Sequence, residues 1–220
     1  MGESMVSRRA ALAGAFAAAL GMLPLAGCVR PSEEDASTEE YEFDGVTAIE
    51  LELGAGEVIV RRDDRLAVTV ERVNYPEVIV EEVDGILHIS EGANDAKLLE
   101  ASVCKVDVTV PEGCELDKLD LEVDAGRILV SDVVAREASL ASDAGDVTLE
   151  RATVDDATLF VSAGAITVSD FAGVQDATVT LEVEVGELRF LGEVQEGSYQ
   201  QTGSGPSLMA TVEVGSIEVS

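Results

Sequence analysis

The sequence predicts an all-β fold: a right-handed parallel β-helix or β-solenoid-like stack of repeats, with an antiparallel β-sandwich as the alternative. Three observations predict it. Apolar residues alternate with period two over most of the chain after residue 43, which is the strand period. A glycine recurs at positions 56, 126, 145, 164, 186 and 215, each time inside one apolar pattern. The middle copies are 19, 19 and 22 residues apart, too short for crossover helices, since a βαβ unit needs about 30 residues.

The N-terminus is read first because it is a targeting segment and not part of the fold. Arg8 and Arg9 precede an uncharged run over residues 10–26, and Leu25-Ala26-Gly27-Cys28 follows. The run is shorter than the roughly 20 apolar residues that span a bilayer, and Pro24 sits near its end. The junction resembles the lipobox of bacterial lipoproteins. That resemblance implies cleavage before Cys28, a lipid on its thiol, and a place on the extracytoplasmic face of the cell membrane. Residues 1–27 are then a signal peptide. Residues 28–42, with Glu33, Glu34, Asp35, Glu39, Glu40 and Glu42, read as an acidic, solvated tether.

The remaining chain, residues 43–220, reads as one β domain with an irregular, cap-like half (43–115) and a regular half (116–220). In the regular pattern, the position five before each glycine holds Leu51, Leu121, Leu140, Leu159, Leu181 and Ala210. Three before stand Leu53, Val123, Ser142, Val161, Val183 and Val212. One before stand Ala55, Ala125, Ala144, Ala163, Val185 and Val214. Two after stand Val58, Ile128, Val147, Ile166, Leu188 and Ile217, and four after stand Val60, Val130, Leu149, Val168, Phe190 and Val219. The step from one before to two after breaks the period, so the chain must bend or bulge at the glycine. Equivalent residues at fixed offsets can stack in columns, and all these columns are expected inside.

In the irregular half, Asp84-Gly85 lies between two apolar runs and reads as a hairpin turn. Residues 91–97 read as a loop. Cys104, Val106, Val108 and Val110 share one strand face, and Pro111-Glu112-Gly113 ends that strand. Residues 191–207 have loop composition. They supply a candidate contact set for neutral sugar or protein: Tyr199, Gln200 and Gln201.

The strand ending in Pro111-x-Gly113 and the repeated apolar–x–apolar–x–x–Gly–x–apolar–x–apolar pattern resemble a bacterial family of unknown function called putative adhesins, related to auto-transporter adhesin head domains. The resemblance covers residues 43–219. It implies β-helical repeats, an exported or cell-surface location, and no established catalytic residues.

Charge and chemistry narrow the function. The chain carries a net charge of −30, or −31 once Glu3, Arg8 and Arg9 are removed, which opposes binding to polyanionic nucleic acid. His88 is the only histidine, so histidine-rich metal sites are excluded and a Ser-His-Asp triad would have to use it. No residue spacing selects a carboxylate pair for glycoside chemistry. Asp124, Asp143, Glu184 and Glu213 share a column and suit weak calcium screening better than a structural site. No cofactor, catalytic residue or metal ligand is assigned. Cys104 and Cys114 are candidates for a disulfide, which export permits; a buried free thiol at Cys104 is the open alternative. The expectation is a noncatalytic, lipid-anchored envelope module, adhesin-like or scaffolding, whose partner is an envelope protein or a glycan. Two alternatives stand beside it: a carbohydrate-active β-helix enzyme, and an accessory protein of an envelope signalling or stress system.

Overall fold

The computed structural model describes residues 36–92 and 102–220. The signal peptide, Cys28 and the start of the tether lie outside them, as does most of the 91–97 loop. Every long element is a strand: β1 (Ala36–Glu42), β2 (Ala48–Asp63), β3 (Ala67–Val73), β4 (Val78–Val83), β5 (Ile86–Glu91), β6 (Val103–Pro111), β7 (Leu116–Ser131), β8 (Val134–Glu150), β9 (Thr153–Ser169), β10 (Thr178–Phe190), β11 (Glu193–Gln195), β12 (Ser198–Gln201) and β13 (Ser207–Val219). Among the described residues one 3-10 turn, Val174–Asp176, precedes β10.

The long strands each carry one repeat glycine near the middle. They lie parallel and in register, so Gly56, Gly126, Gly145, Gly164, Gly215 and Gly186 are spatial neighbours in that order. Their φ angles are +144° to +157°, a region that favours glycine. The two arms of an end strand take different partners. The first arm of β2 pairs with β5 and the second with β6, while the arms of β10 pair with β12 and β11. The chain therefore makes two walls that meet along the glycine bends, and the apolar core lies between them. Val58, Val60, Leu121, Val147, Leu149, Ile166 and Val168 are all fully buried there, each worth about 1.5–3 kcal/mol.

The all-β class holds, but the right-handed β-helix is corrected. The sheet is mixed. β1–β3–β6 and the β4–β5 hairpin are antiparallel. In the regular half β13 inserts between β9 and β10, out of chain order. A solenoid would add each coil to the last one. The arrangement fits a stacked, sandwich-like fold instead, although its central strands are parallel rather than antiparallel. The reason lies in residues 193–201: β11 and β12 cover the outer side of β10, so the final strand pairs on its inner side.

Three further expectations meet the structure. The Asp84-Gly85 hairpin is present, with both residues at positive φ and Val83 opposite Ile86. β1 occupies Ala36–Glu42, within the segment read as tether. Its alternating glutamates look solvated in sequence, yet Glu39 pairs with Arg72, and Glu40 and Glu42 pair with Arg65. The column one before the glycines turns outward in the regular half: Val185 and Val214 are 62% and 55% exposed, and Ala125, Ala144 and Ala163 are exposed beside them. Where the walls meet, the chain rounds a corner, and the corner residues have no interior to enter.

Candidate functional site

The bends define one edge of the molecule and their ladder needs a finish at each end. At the β2 end, no further glycine bend follows. The Tyr75 hydroxyl accepts a hydrogen bond from Ala55 N–H at 3.1 Å and donates to Glu91 Oε2 at 2.8 Å, and Glu91 also accepts from Gly54 N–H at 3.2 Å. Burial pushes the Tyr75 pKa up, so the hydroxyl remains a donor across the physiological range. The sequence reading missed this cap. Its one signal was an aromatic residue before Pro76 in a segment otherwise short of rings.

At the β10 end the walls are closed by a ring pair. Phe190 and Tyr199 stack with centroids 4.2 Å apart. The Gln201 amide donates to the carbonyls of Val174, Gln175 and Ala177 at 3.0–3.2 Å and its oxygen accepts from Tyr199 at 3.1 Å. Of the three residues singled out as a contact set, Tyr199 and Gln201 are thus engaged within the fold, and Gln200 is exposed.

At the opposite end, beyond the Tyr75 cap, the two walls carry no such ring pair among the described residues. Their outermost strands are β1 and β4, and a groove of about 540 Å³ lies between them, lined by Tyr41 and residues 77–83.

His88 sits on the outer face of the first wall. Its Nδ1 is 3.3 Å from Glu50 Oε2, and Glu50 also accepts from Lys118 at 3.2 Å. Lys118 reaches Asp120 at 2.8 Å. That hydrogen bond, then the one to Glu50, holds the ammonium pKa above its ordinary value. Ser90 shares this face two residues from His88, a separation of about 7 Å along a strand, beyond the reach of a nucleophile–base pair. His88 is a surface strand residue in a charge chain. Among the described residues no group of three or more His, Cys, Asp or Glu side chains is placed to hold a metal ion. In the acidic column Ser162 lies between the Asp124–Asp143 pair and the Glu213–Glu184 pair.

Cys104 and Cys114 are free thiols. Cys104 lies at the start of β6, with its carbonyl against Gly56. Cys114 follows the turn after Pro111, where its N–H donates to the Pro111 carbonyl at 3.1 Å. Seven strand residues carry the chain about 23 Å from Cys104 to Pro111, and the turn cannot return it to within the roughly 7 Å that a disulfide requires. Burial pushes both thiols up in pKa, Cys104 to about 11.

Residues 46–199, which hold five of the six ladder glycines and the Tyr75 cap, match the sequence profile of the family described as Toastrack DUF4097. The chain belongs to that family. Among solved structures, it is similar to the "putative cell adhesion protein" of Clostridium sporogenes. The TM-score is 0.62 at 18% identity, over 84% of this chain and 98% of that one; this likeness concerns the fold. A "putative adhesin" of Bacteroides fragilis aligns over 88% of this chain and 100% of its own, at 13% identity and a TM-score of 0.38. A "putative lipid binding protein" of Parabacteroides distasonis aligns over 85% and 98%, at 12% identity and a TM-score of 0.32. No curated protein matches the chain.

Proposed function

We propose that this Toastrack chain is a noncatalytic accessory protein of the bacterial envelope, held on the outer face of the membrane by lipid on Cys28 and presenting a rigid β scaffold to a protein partner. The observation that carries the choice of a protein over a glycan is the placement of Tyr199 and Gln201. The ring is stacked on Phe190 and the amide is bonded to three carbonyls, so the residues suited to hold a sugar serve the fold. The lipobox resemblance and the adhesin-type relatives support an envelope location. A nonenzymatic role is supported by the separation of His88 from Ser90 and by the many surface acids, though not those at β4, that sit in ion pairs or repeated columns. Calcium enters this reading as diffuse screening of those columns.

Two measurements test it. Mass spectrometry of the mature N-terminal peptide should find a lipid-modified Cys28, and Cys28→Ala should release the protein from membranes. Crosslinking in intact cells should then capture one membrane protein reproducibly. An unmodified N-terminus, or saturable capture by wall glycan with no protein crosslink, would reverse the corresponding half of the reading.

A further inference from the structure

An outermost strand leaves one side of its backbone without a neighbour, and such edges are commonly shortened or charged. Among the described residues, four strands stand at wall ends. β11 and β12 have three and four residues. β1 is longer, but Glu39, Glu40 and Glu42 are tied into ion pairs with Arg72 and Arg65. β4 differs from all three. It has six residues, Val-Ile-Val-Glu-Glu-Val, and among the described residues pairs only with β5. Ile79 and Val83 are 40% and 50% exposed on its outer face, and Glu81 is exposed between them. On its inner face Val80 packs against the core beside Tyr41, at the groove of about 540 Å³.

The side chains lining that groove include Glu77, Glu81 and Glu82 and no Lys, Arg or His. A second copy of this chain would bring a second set of these glutamates to the same edge, and like charges close together across strands are destabilising. The net charge of −30 per chain adds to that repulsion. The complementary occupant is a cationic one.

We propose that β4 is a strand-addition site. An extended segment of a partner protein, with apolar residues alternating with Lys or Arg, pairs with the open edge of β4. The strand period sends its apolar side chains into the groove beside Tyr41 and Val80, and its cations outward beside Glu81 and toward Glu77. Backbone hydrogen bonds supply the affinity, and the alternation supplies the selectivity. This site does not depend on whether Cys28 carries lipid.

The test uses the full chain in detergent and two synthetic octapeptides of equal composition, one alternating valine and lysine, the other with four valines followed by four lysines. Calorimetry should show saturable binding of the alternating peptide, at least tenfold tighter than the block peptide. Glu81→Lys should weaken it at least tenfold, while Glu218→Lys, an equal charge change on an exposed residue of β13, should leave it within twofold. Hydrogen exchange should show new protection in β4 and none in β1 or β12. Absence of binding overturns the proposal. So does equal binding of the two peptides, equal loss in both variants, or protection that spares β4. Concentration-dependent dimerisation abolished by Glu81→Lys would assign the edge to a second copy instead and overturn the cationic partner. Each of these readouts is separate from membrane retention and crosslinking, so this site and the envelope reading fail independently.

Discussion

The carbonyl oxygen of Gly126 lies 1.7 Å from the point where a Cβ on Gly145 would stand. The same contact, at 1.7–1.8 Å, recurs along the ladder from Gly56 to Gly126, Gly145 to Gly164, Gly164 to Gly215 and Gly215 to Gly186. Any side chain here would have to push apart two backbones that hydrogen bonds hold in register. Gly145→Ala should therefore lower stability by about 3 kcal/mol or more in urea unfolding. Gly192→Ala is the control: it has positive φ but no atom within 4 Å of the added carbon, so the backbone conformation alone should cost about 1–2 kcal/mol.

The corner explains which apolar columns tolerate charge. Leu149 is fully buried, and Leu149→Asp should be destabilising by several kcal/mol, enough to prevent accumulation of folded protein, because it places an unpaired charge in the core. Ala144 is exposed, and Ala144→Asp should stay within about 0.5 kcal/mol. The yield of folded protein for each variant, with thermal unfolding of whatever folds, separates inside from corner; equal losses would undo the assignment.

Ser142 is 1% exposed, its hydroxyl has no hydrogen-bond partner, and its register neighbours are Val123 and Val161. A buried hydroxyl without a partner costs about 1–3 kcal/mol. Ser142→Ala should raise stability by about 1 kcal/mol, seen as a higher urea midpoint at unchanged slope.

Tyr75→Phe removes the acceptor of Ala55 N–H and one donor to Glu91 while keeping the ring. It should cost about 1–3 kcal/mol and speed hydrogen exchange at Ala55 before the central strands. Unchanged exchange there would show that the ladder needs no such cap.

The thiols give a pH prediction. Burial first, and the Glu91 charge next, raise Cys104 from 9.0 to about 11. The unfolded chain then loses its thiol proton at a lower pH than the folded one. Stability from this group is intact below pH 9 and falls as pH rises toward 11. Cys104→Ala should flatten that part of the stability curve. In the native protein at pH 8, a thiol reagent should label Cys114 faster than Cys104, and unfolding without reductant should expose both. Failure to label either after unfolding would reveal a disulfide.

The sequence by itself determined the strand period, the glycine bends, the Asp84-Gly85 turn and most core columns. Each is a local matter: alternation reports which face a side chain takes, and a bend needing φ near +150° selects glycine at that residue. What the period cannot report is which strand lies beside which. The copies at Leu159, Leu181 and Ala210 are interchangeable by pattern. Only the tertiary structure decided that β13 lies between β9 and β10, because β11 and β12 already occupy the outer side of β10. It also turned Val185 and Val214 outward, since a corner between two walls has no inside. It recruited Glu39, Glu40 and Glu42 into an edge strand through Arg65 and Arg72, distant in sequence. Lastly, it set Cys104 and Cys114 at the two ends of β6 and its closing turn, because the strand read from Cys104 onward stays extended and paired up to Pro111.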